Sequence, residues 1–210
     1  MHPWETVPLS EYEAHMSLDE VYQLQTLDDI TRRQLDAYDV HSVSILGVAG
    51  GNGLAHIDPA RIKRVYGIDI NKEYLAACKR RYLRLGGCLQ LLCCDLSCED
   101  VCLPYAELVI ANLLVEYVGT GMFVYHMAAA RPRYISCVIQ QNQSPQFVSR
   151  SPYAQTFDAI STLHRDIAEQ ELCTAMNEIG YVCITREKTM LPNAKQLLRL
   201  DYRDEVKTDA

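Results

Sequence analysis

The sequence predicts an α/β protein: a doubly wound, mainly parallel sheet of seven strands that ends in an antiparallel hairpin, preceded by an N-terminal helical lid. Three observations carry this expectation. Short apolar runs alternate with helix-spaced apolar residues between Val43 and Ile139, which implies parallel pairing with right-handed crossovers because a tight turn cannot reach a parallel neighbour. The last two apolar segments are joined only by Leu191-Pro192-Asn193-Ala194-Lys195, a link short enough to demand an antiparallel pair. The 210 residues, 49% apolar and 22% charged, suffice for one core, and no repeat or Pro/Gly-rich linker divides them.

Taken in order, Ser17 and Glu20 form a capping box, and Val21, Leu24, Leu27, Ile30 and Leu35 follow at near-helical spacing, predicting a helix from Leu18 to Leu35. Val43 to Val48 is apolar and ended by glycines, as a buried strand should be. Arg64 to Asp69 reads as the second strand, and Asn71 caps a helix through Arg84 whose inner face holds Leu75, Cys78 and Tyr82. Leu89 to Cys94, Leu108 to Ala111 and Tyr134 to Ile139 are the third, fourth and fifth strands. A helix from Asp166 to Ile179, closed by Gly180, leads into the hairpin of Tyr181 to Met190 and Gln196 to Tyr202. Residues 1–39 are thus expected to form a lid and residues 40–210 the body, within one structural domain.

Charge narrows the partners. Residues 1–40 hold nine acids and two bases, which accounts for the whole net charge of -7. The body is neutral, so no broad basic face for a phosphate backbone is evident, although eight bases between Arg61 and Arg84 keep nucleic acid from being excluded. No stretch resembles a membrane span, and the start lacks a secretory signal, so the expected location is cytoplasmic. Nine cysteines in that compartment read as reduced thiols. Five of them fall between Cys88 and Cys102, but paired Cys-x-x-Cys knuckles are absent and Cys93 and Cys94 point to opposite faces of a strand, so no metal site is expected. Clustered thiols would also suit an enzyme acting on a thiophilic metalloid.

The most informative segment is Ile45-Leu46-Gly47-Val48-Ala49-Gly50-Gly51-Asn52-Gly53-Leu54, directly after the first strand. Its backbone can turn sharply and approach a ligand, and a helix beginning beyond it would offer free N–H groups, as in a cofactor cradle. Asp69 ends the second strand, where a carboxylate can accept from both hydroxyls of a ribose, and Asp95 follows the third. These points lie at carboxyl ends of strands, where open parallel sheets bind ligands.

With these residues the chain resembles the class I S-adenosylmethionine-dependent methyltransferases over about residues 40 to 204. Gly47, Ala49, Gly51 and Gly53 match the family's acid-x-Gly-x-Gly-x-Gly motif, with Gly47 in place of the acid and Ala49 in place of the first glycine. The resemblance implies a ribose-binding role for Asp69, an adenine contact at Asp95, and a place beside the transferable methyl for Asn112 in Ala111-Asn112-Leu113-Leu114-Val115-Glu116-Tyr117. It places Asn52, Ile70 and Leu96 in the same cofactor site. The N-terminal arm resembles the family's lids, in which Tyr12 would touch the cofactor carboxylate.

Methyl transfer is an in-line displacement for which alignment and exclusion of water are the main tasks, and a base matters when the acceptor arrives protonated. Glu116, just after the fourth strand, and His15, in the arm, are the candidate catalytic bases, each with a plain alternative as a helix-start charge or surface packing. His126 and His164 have less support. Residues 141–161, with Phe147, Tyr153 and Phe157, are expected to shape the acceptor pocket. The expected function is methyl transfer from S-adenosyl-L-methionine to a small-molecule acceptor; the Asn-Pro-Pro-aromatic motif of nucleic-acid amino-methylating enzymes is missing after Asn112. Two other readings stand beside it. The weakened cradle at Gly47 and Ala49 suits a cofactor-binding regulatory protein without turnover. An NAD-dependent oxidoreductase is the weaker competitor, because Gly-x-Gly-x-x-Gly fails from either Gly47 or Gly51.

Overall fold

The structure, a computed structural model, describes residues 2–142 and 151–205. Seven strands form one sheet: β1 (Ser42–Leu46), β2 (Arg64–Asp69), β3 (Leu89–Cys93), β4 (Leu108–Asn112), β5 (Tyr134–Gln141), β6 (Tyr181–Met190) and β7 (Gln196–Asp204). Their order is β3-β2-β1-β4-β5-β7-β6. The first five are parallel, and β7 runs antiparallel between β5 and β6. The chain leaves β1 toward β2 and β3, then returns to the other side of β1 with β4. That reversal opens a crevice at the carboxyl ends of β1 and β4.

The helices are α1 (Leu9–Ser17), α2 (Gln23–Asp36), α3 (Lys72–Arg81), α4 (Val115–Val118), α5 (Thr120–Ala130), α6 (Asp158–Ser161) and α7 (Glu169–Glu178). Both faces of the central strands are covered, which is why they are apolar at successive positions instead of alternating. Val43, Ile45, Leu108 and Ile110 pack with Leu35, Leu75 and Cys78 on one side. Leu46, Val109, Ile135 and Cys137 pack with Phe123 and Met127 of α5 and Leu172 and Met176 of α7 on the other. The Asn71 side chain accepts from the Glu73 and Tyr74 amides and so starts α3, and Gly180, at φ 83°, closes the turn after α7.

Three expectations need correction. The helix predicted from Leu18 to Leu35 starts only at Gln23, as α2, because Ser17 ends α1, bonding its hydroxyl back to the Ala14 carbonyl at 3.2 Å, and so cannot cap a following turn. The chain turns a corner through Tyr22, at φ 52°, tucking Val21 into the interior before α2 starts. Second, no α-helix follows the glycine turn. Only a 3-10 turn, Leu54–His56, precedes β2, since Asp58-Pro59 holds a tight turn through the Ala60 and Ile62 amides. Third, residues 94–107 cross from β3 to β4 without a helix, so the double winding is incomplete on that side.

The basic run of the sequence is largely engaged within the fold. Arg61 donates to the Leu35 carbonyl at 3.0 Å, Arg84 to the Leu54 and Ala55 carbonyls at 3.1 and 2.8 Å, and Arg81 pairs with Glu13. The nine cysteines are free thiols. Among the described residues no helix is long and apolar enough to cross a membrane.

Two alanine substitutions test this packing by urea unfolding. Ile110→Ala, in wholly buried β4, should cost about 2 to 5 kcal/mol, whereas Leu83→Ala, at a side chain 72% exposed, should stay within about 0.5 kcal/mol.

Candidate active site

The turn after β1 takes its shape from left-handed residues at every second position: Gly47 at φ 71°, Ala49 at 46°, Gly51 at 96° and Gly53 at 84°. For Ala49 that conformation costs about 1 kcal/mol. The Ala49 amide is held there by a 2.9 Å bond to Asp69 Oδ2. The other Asp69 oxygen accepts from the Asn71 amide at 2.9 Å. Burial pushes the Asp69 carboxyl above its usual range, and these N–H bonds oppose the shift.

Around this carboxylate lies a cavity of about 720 Å³, open mouth included. Of the residues expected at the cofactor, Tyr12, Gly47, Ala49, Asp69, Ile70, Asp95, Leu96 and Asn112 line it. Asn52 lines a smaller side cavity with Glu13 and Gly50 that shares Tyr12, Gly47, Ala49 and Asn112 with the first. Gly51 and Gly53, expected to lie against the ligand, face the protein instead. A Cβ on Gly51 would sit 2.4 Å from the Tyr82 ring, and one on Gly53 2.4 Å from Thr31. Their bareness serves packing against the end of α3 and against α2.

Asp95 is turned toward its own loop, its Oδ1 accepting from the Ser97 amide and hydroxyl at 2.9 and 2.6 Å. Asn112 exchanges amide bonds with Gln34 at 2.9 and 3.0 Å. Gln34 continues to Ser136 at 2.8 Å, and Ser136 to Asp201, whose charge is met by Arg199 and Tyr38. This buried polar chain fixes the Asn112 amide from behind.

The arm roofs the crevice. Asn71 Nδ2 donates to the Trp4 carbonyl at 3.0 Å, the Tyr74 hydroxyl to the Val7 carbonyl at 2.9 Å, and Arg81 holds both Glu13 and the Gly50 carbonyl. Tyr12 is kept a neutral phenol by burial, with Asp69 and Glu13 adding to the effect.

A second cavity lies behind this roof and shares Trp4, Tyr12, Leu113 and Tyr117 with the first. Both candidate bases, Glu116 and His15, line it, with Met16, Gln23, Gln140, Phe157 and His164. Glu116 is 1% exposed. Its Oε1 accepts from the Gln140 amide at 2.7 Å, while Oε2 is buried with no hydrogen-bond partner. Burial pushes its carboxyl from 4.5 up to about 7. His15 Nδ1 lies 2.7 Å from the Ser151 hydroxyl and its ring 4.7 Å from Phe157; burial, then the Lys195 charge, lowers its pKa. His126 sits elsewhere, packed in α5 with Nε2 3.0 Å from the Leu96 carbonyl. Among the described residues no group of three His, Cys, Asp or Glu could hold a metal ion.

Sequence reasoning missed Trp4, Tyr117, Gln34 and Gln140. Tyr117 closes the Ala111–Tyr117 segment but was given no role there, Gln34 and Gln140 stand in no motif, and Trp4 carried only one signal, that it is the sole tryptophan. Of the expected acceptor segment, Phe157 reaches the second cavity and Tyr153 packs beside it, while Phe147 lies outside the described residues.

No model of a protein family matches the chain, and no curated protein matches it by sequence. Solved structures do match by shape. The N-methyltransferase NodS from Bradyrhizobium japonicum WM9, in complex with S-adenosylhomocysteine, superposes with a TM-score of 0.65 at 14% identity, covering 96% of this chain and 99% of NodS. Magnesium protoporphyrin IX methyltransferase from Synechocystis PCC 6803, with bound S-adenosylmethionine, gives 0.63 at 12% identity over 87% and 79%. The chain has the class I methyltransferase fold. That fold is not confined to methyl transfer, since the [4+2]-cyclase SpnF superposes at 0.61 with 10% identity over 85% and 80%. In this methyltransferase fold the crevice beside Asp69 opens at the switch point between β1 and β4, where the sheet order reverses.

Two predictions follow from this geometry. Gly51→Ala should lower stability by about 1 to 3 kcal/mol in urea, part of which a second change, Tyr82→Ala, restores by removing the ring the new methyl meets. The second concerns pH. An unfolded glutamate releases its proton near 4.5 and Glu116 near 7, so the native state holds an extra proton between those values. Stability from this group is therefore complete at low pH and lost as pH rises through about 7. Against a Glu116→Gln variant, the parent protein should lose on the order of 3 kcal/mol across that window in thermal unfolding.

Proposed function

We propose that the chain binds S-adenosylmethionine in the crevice beside Asp69 and transfers its methyl group to a small-molecule acceptor held in the second cavity. The observation that carries this reading is the contiguity of the two cavities, which share the wall formed by Trp4, Tyr12, Leu113 and Tyr117.

The crevice residues fit the cofactor. The Asp69 carboxylate accepts from backbone N–H groups and keeps acceptor capacity toward the crevice, which suits a vicinal diol of a ribose. Ile70, Leu96, Leu114 and Val118 provide apolar walls for a flat base. In the side cavity Glu13 supplies a carboxylate that Gly47 does not, held by Arg81 on both oxygens, so a zwitterionic tail there would meet a paired acid and the Arg81 guanidinium together. When bound, S-adenosylmethionine supplies a methyl on a sulfonium sulfur and requires the acceptor in line behind that carbon. In this reading Trp4 and Tyr12 exclude water from the junction, Asn112 lines the cofactor side, and Glu116 holds a proton on the acceptor side.

The test is calorimetry followed by product analysis. S-adenosylhomocysteine should bind and nicotinamide dinucleotides should not, and Asp69→Ala should weaken binding at least about tenfold, about 1.4 kcal/mol. Incubation with methyl-labelled cofactor and a metabolite pool should yield a labelled small molecule. Cofactor binding with no labelled product would make the chain a binding protein without turnover, and absence of binding would discard the reading altogether.

A further inference from the structure

The second cavity carries more chemical information than its position. Among the described residues that line it, one buried polar atom has no partner, the acceptor Glu116 Oε2, on a side chain 1% exposed. A buried carboxylate oxygen left unbonded is unfavourable until a donor arrives, and a charged donor is the best match. The walls around it are aromatic: Trp4, Tyr12, Tyr117 and Phe157. Their faces attract a cation. We propose that this cavity is the acceptor pocket and that it takes a small amine, entering as its ammonium ion with the nitrogen held at Glu116. The inference rests on the cofactor reading above and goes beyond it in naming the acceptor class.

The surrounding charges agree. Tyr12 and His15 face the cavity from α1, Tyr117 from α4, and His164 from the segment before α7, where Asp166 adds negative charge felt at Glu116. Burial lowers the pKa of His15 and His164, with Asp166 opposing it at His164 and the Lys195 charge, from the turn between β6 and β7, adding to it at both, so both rings favour the neutral form; the Lys195 charge itself works against a cation, and Glu116 and Asp166 outnumber it. A carboxylate ligand would meet Glu116 as a like charge, and an alcohol would gain only a hydrogen bond.

The step balances. The ammonium passes one proton to Glu116, its freed lone pair forms the new N–C bond as the C–S bond breaks, and that bond's electron pair stays on sulfur. The product leaves as the methylated ammonium, and Glu116 returns its proton to water.

The experiment uses the full chain saturated with S-adenosylhomocysteine and reads the emission of Trp4, the sole tryptophan, together with calorimetry. Two matched series serve as probes: butylamine, butanol and butyrate, and benzylamine, benzyl alcohol and benzoate. In at least one series the amine should bind about tenfold or more tighter than the alcohol, and the acid weakest of the three. Amine affinity should rise from about pH 6 to about pH 8 as Glu116 ionises. Glu116→Gln should bring the amine down to the alcohol's affinity while S-adenosylhomocysteine binding changes by less than about twofold. Equal affinities in both series, a flat pH profile, or a preference that survives the substitution would overturn the proposal. Should the variant not fold, the matched series and pH profile of the parent protein decide alone. Failure of S-adenosylhomocysteine to bind would instead remove the cofactor reading, and the acceptor assignment with it.

Discussion

The Asp69 carboxylate is the joint on which the rest of the site depends. One oxygen holds the Ala49 amide and fixes the turn after β1; the other holds the Asn71 amide at the start of α3. Asn71 then uses both ends of its own side chain, capping α3 with its oxygen and reaching the Trp4 carbonyl with its nitrogen. A single line of hydrogen bonds thus runs from the glycine turn to the roof over both cavities. Burial raises the Asp69 carboxyl toward the neutral form, so the N–H groups that oppose that shift also keep an anionic acceptor facing the crevice.

What the sequence made legible was whatever rests on period and punctuation. Strand β2 could be read in full because it is apolar and ends in an acid, and the β6–β7 hairpin because five residues allow no other pairing. The start of α2 was obscured because the same Ser-x-x-Glu pattern fits a capping box and a helix end, and only the neighbouring Ala14 carbonyl decides between them. The glycines illustrate a subtler failure. A bare Cα signals a close approach, but the letter does not say to what, and for Gly51 and Gly53 the neighbours are Tyr82 and Thr31.

The least legible part was the buried polar chain from Asn112 through Gln34 and Ser136 to Asp201. Gln34, Ser136 and Asp201 are wholly enclosed, and polar letters there read as the outward face of a helix or strand. Their partners come from α2, β5 and β7, so no local window contains the pairing. A chain of this kind is favourable only if each member is satisfied, and it places the Asn112 amide more rigidly than apolar packing would, because every bond restricts a torsion of the next.

Two crossovers lack helices, and that shifts work onto the N-terminal segment. Where a helix after the glycine turn is absent, Leu54, Ile57 and Ile62 fill the interior from irregular chain, and α1 with the residues before it closes the crevice from outside. The closure is held by apolar packing of Val7, Met16, Trp4 and Tyr12, by a few hydrogen bonds and by the Glu13–Arg81 pair, in which the Arg81 side chain is 46% exposed. Each such bond contributes about 0.5 to 1.5 kcal/mol net and an exposed ion pair about 0 to 1, and the apolar burial adds to both. The sheet beneath this roof is tied by full ladders on both sides of β1. The architecture thereby sets a floor, Asp69 and Asn112 at the ends of β2 and β4, beneath a roof of Trp4 and Tyr12 from the N-terminal segment, and it places Glu116 just beyond β4, beside that floor.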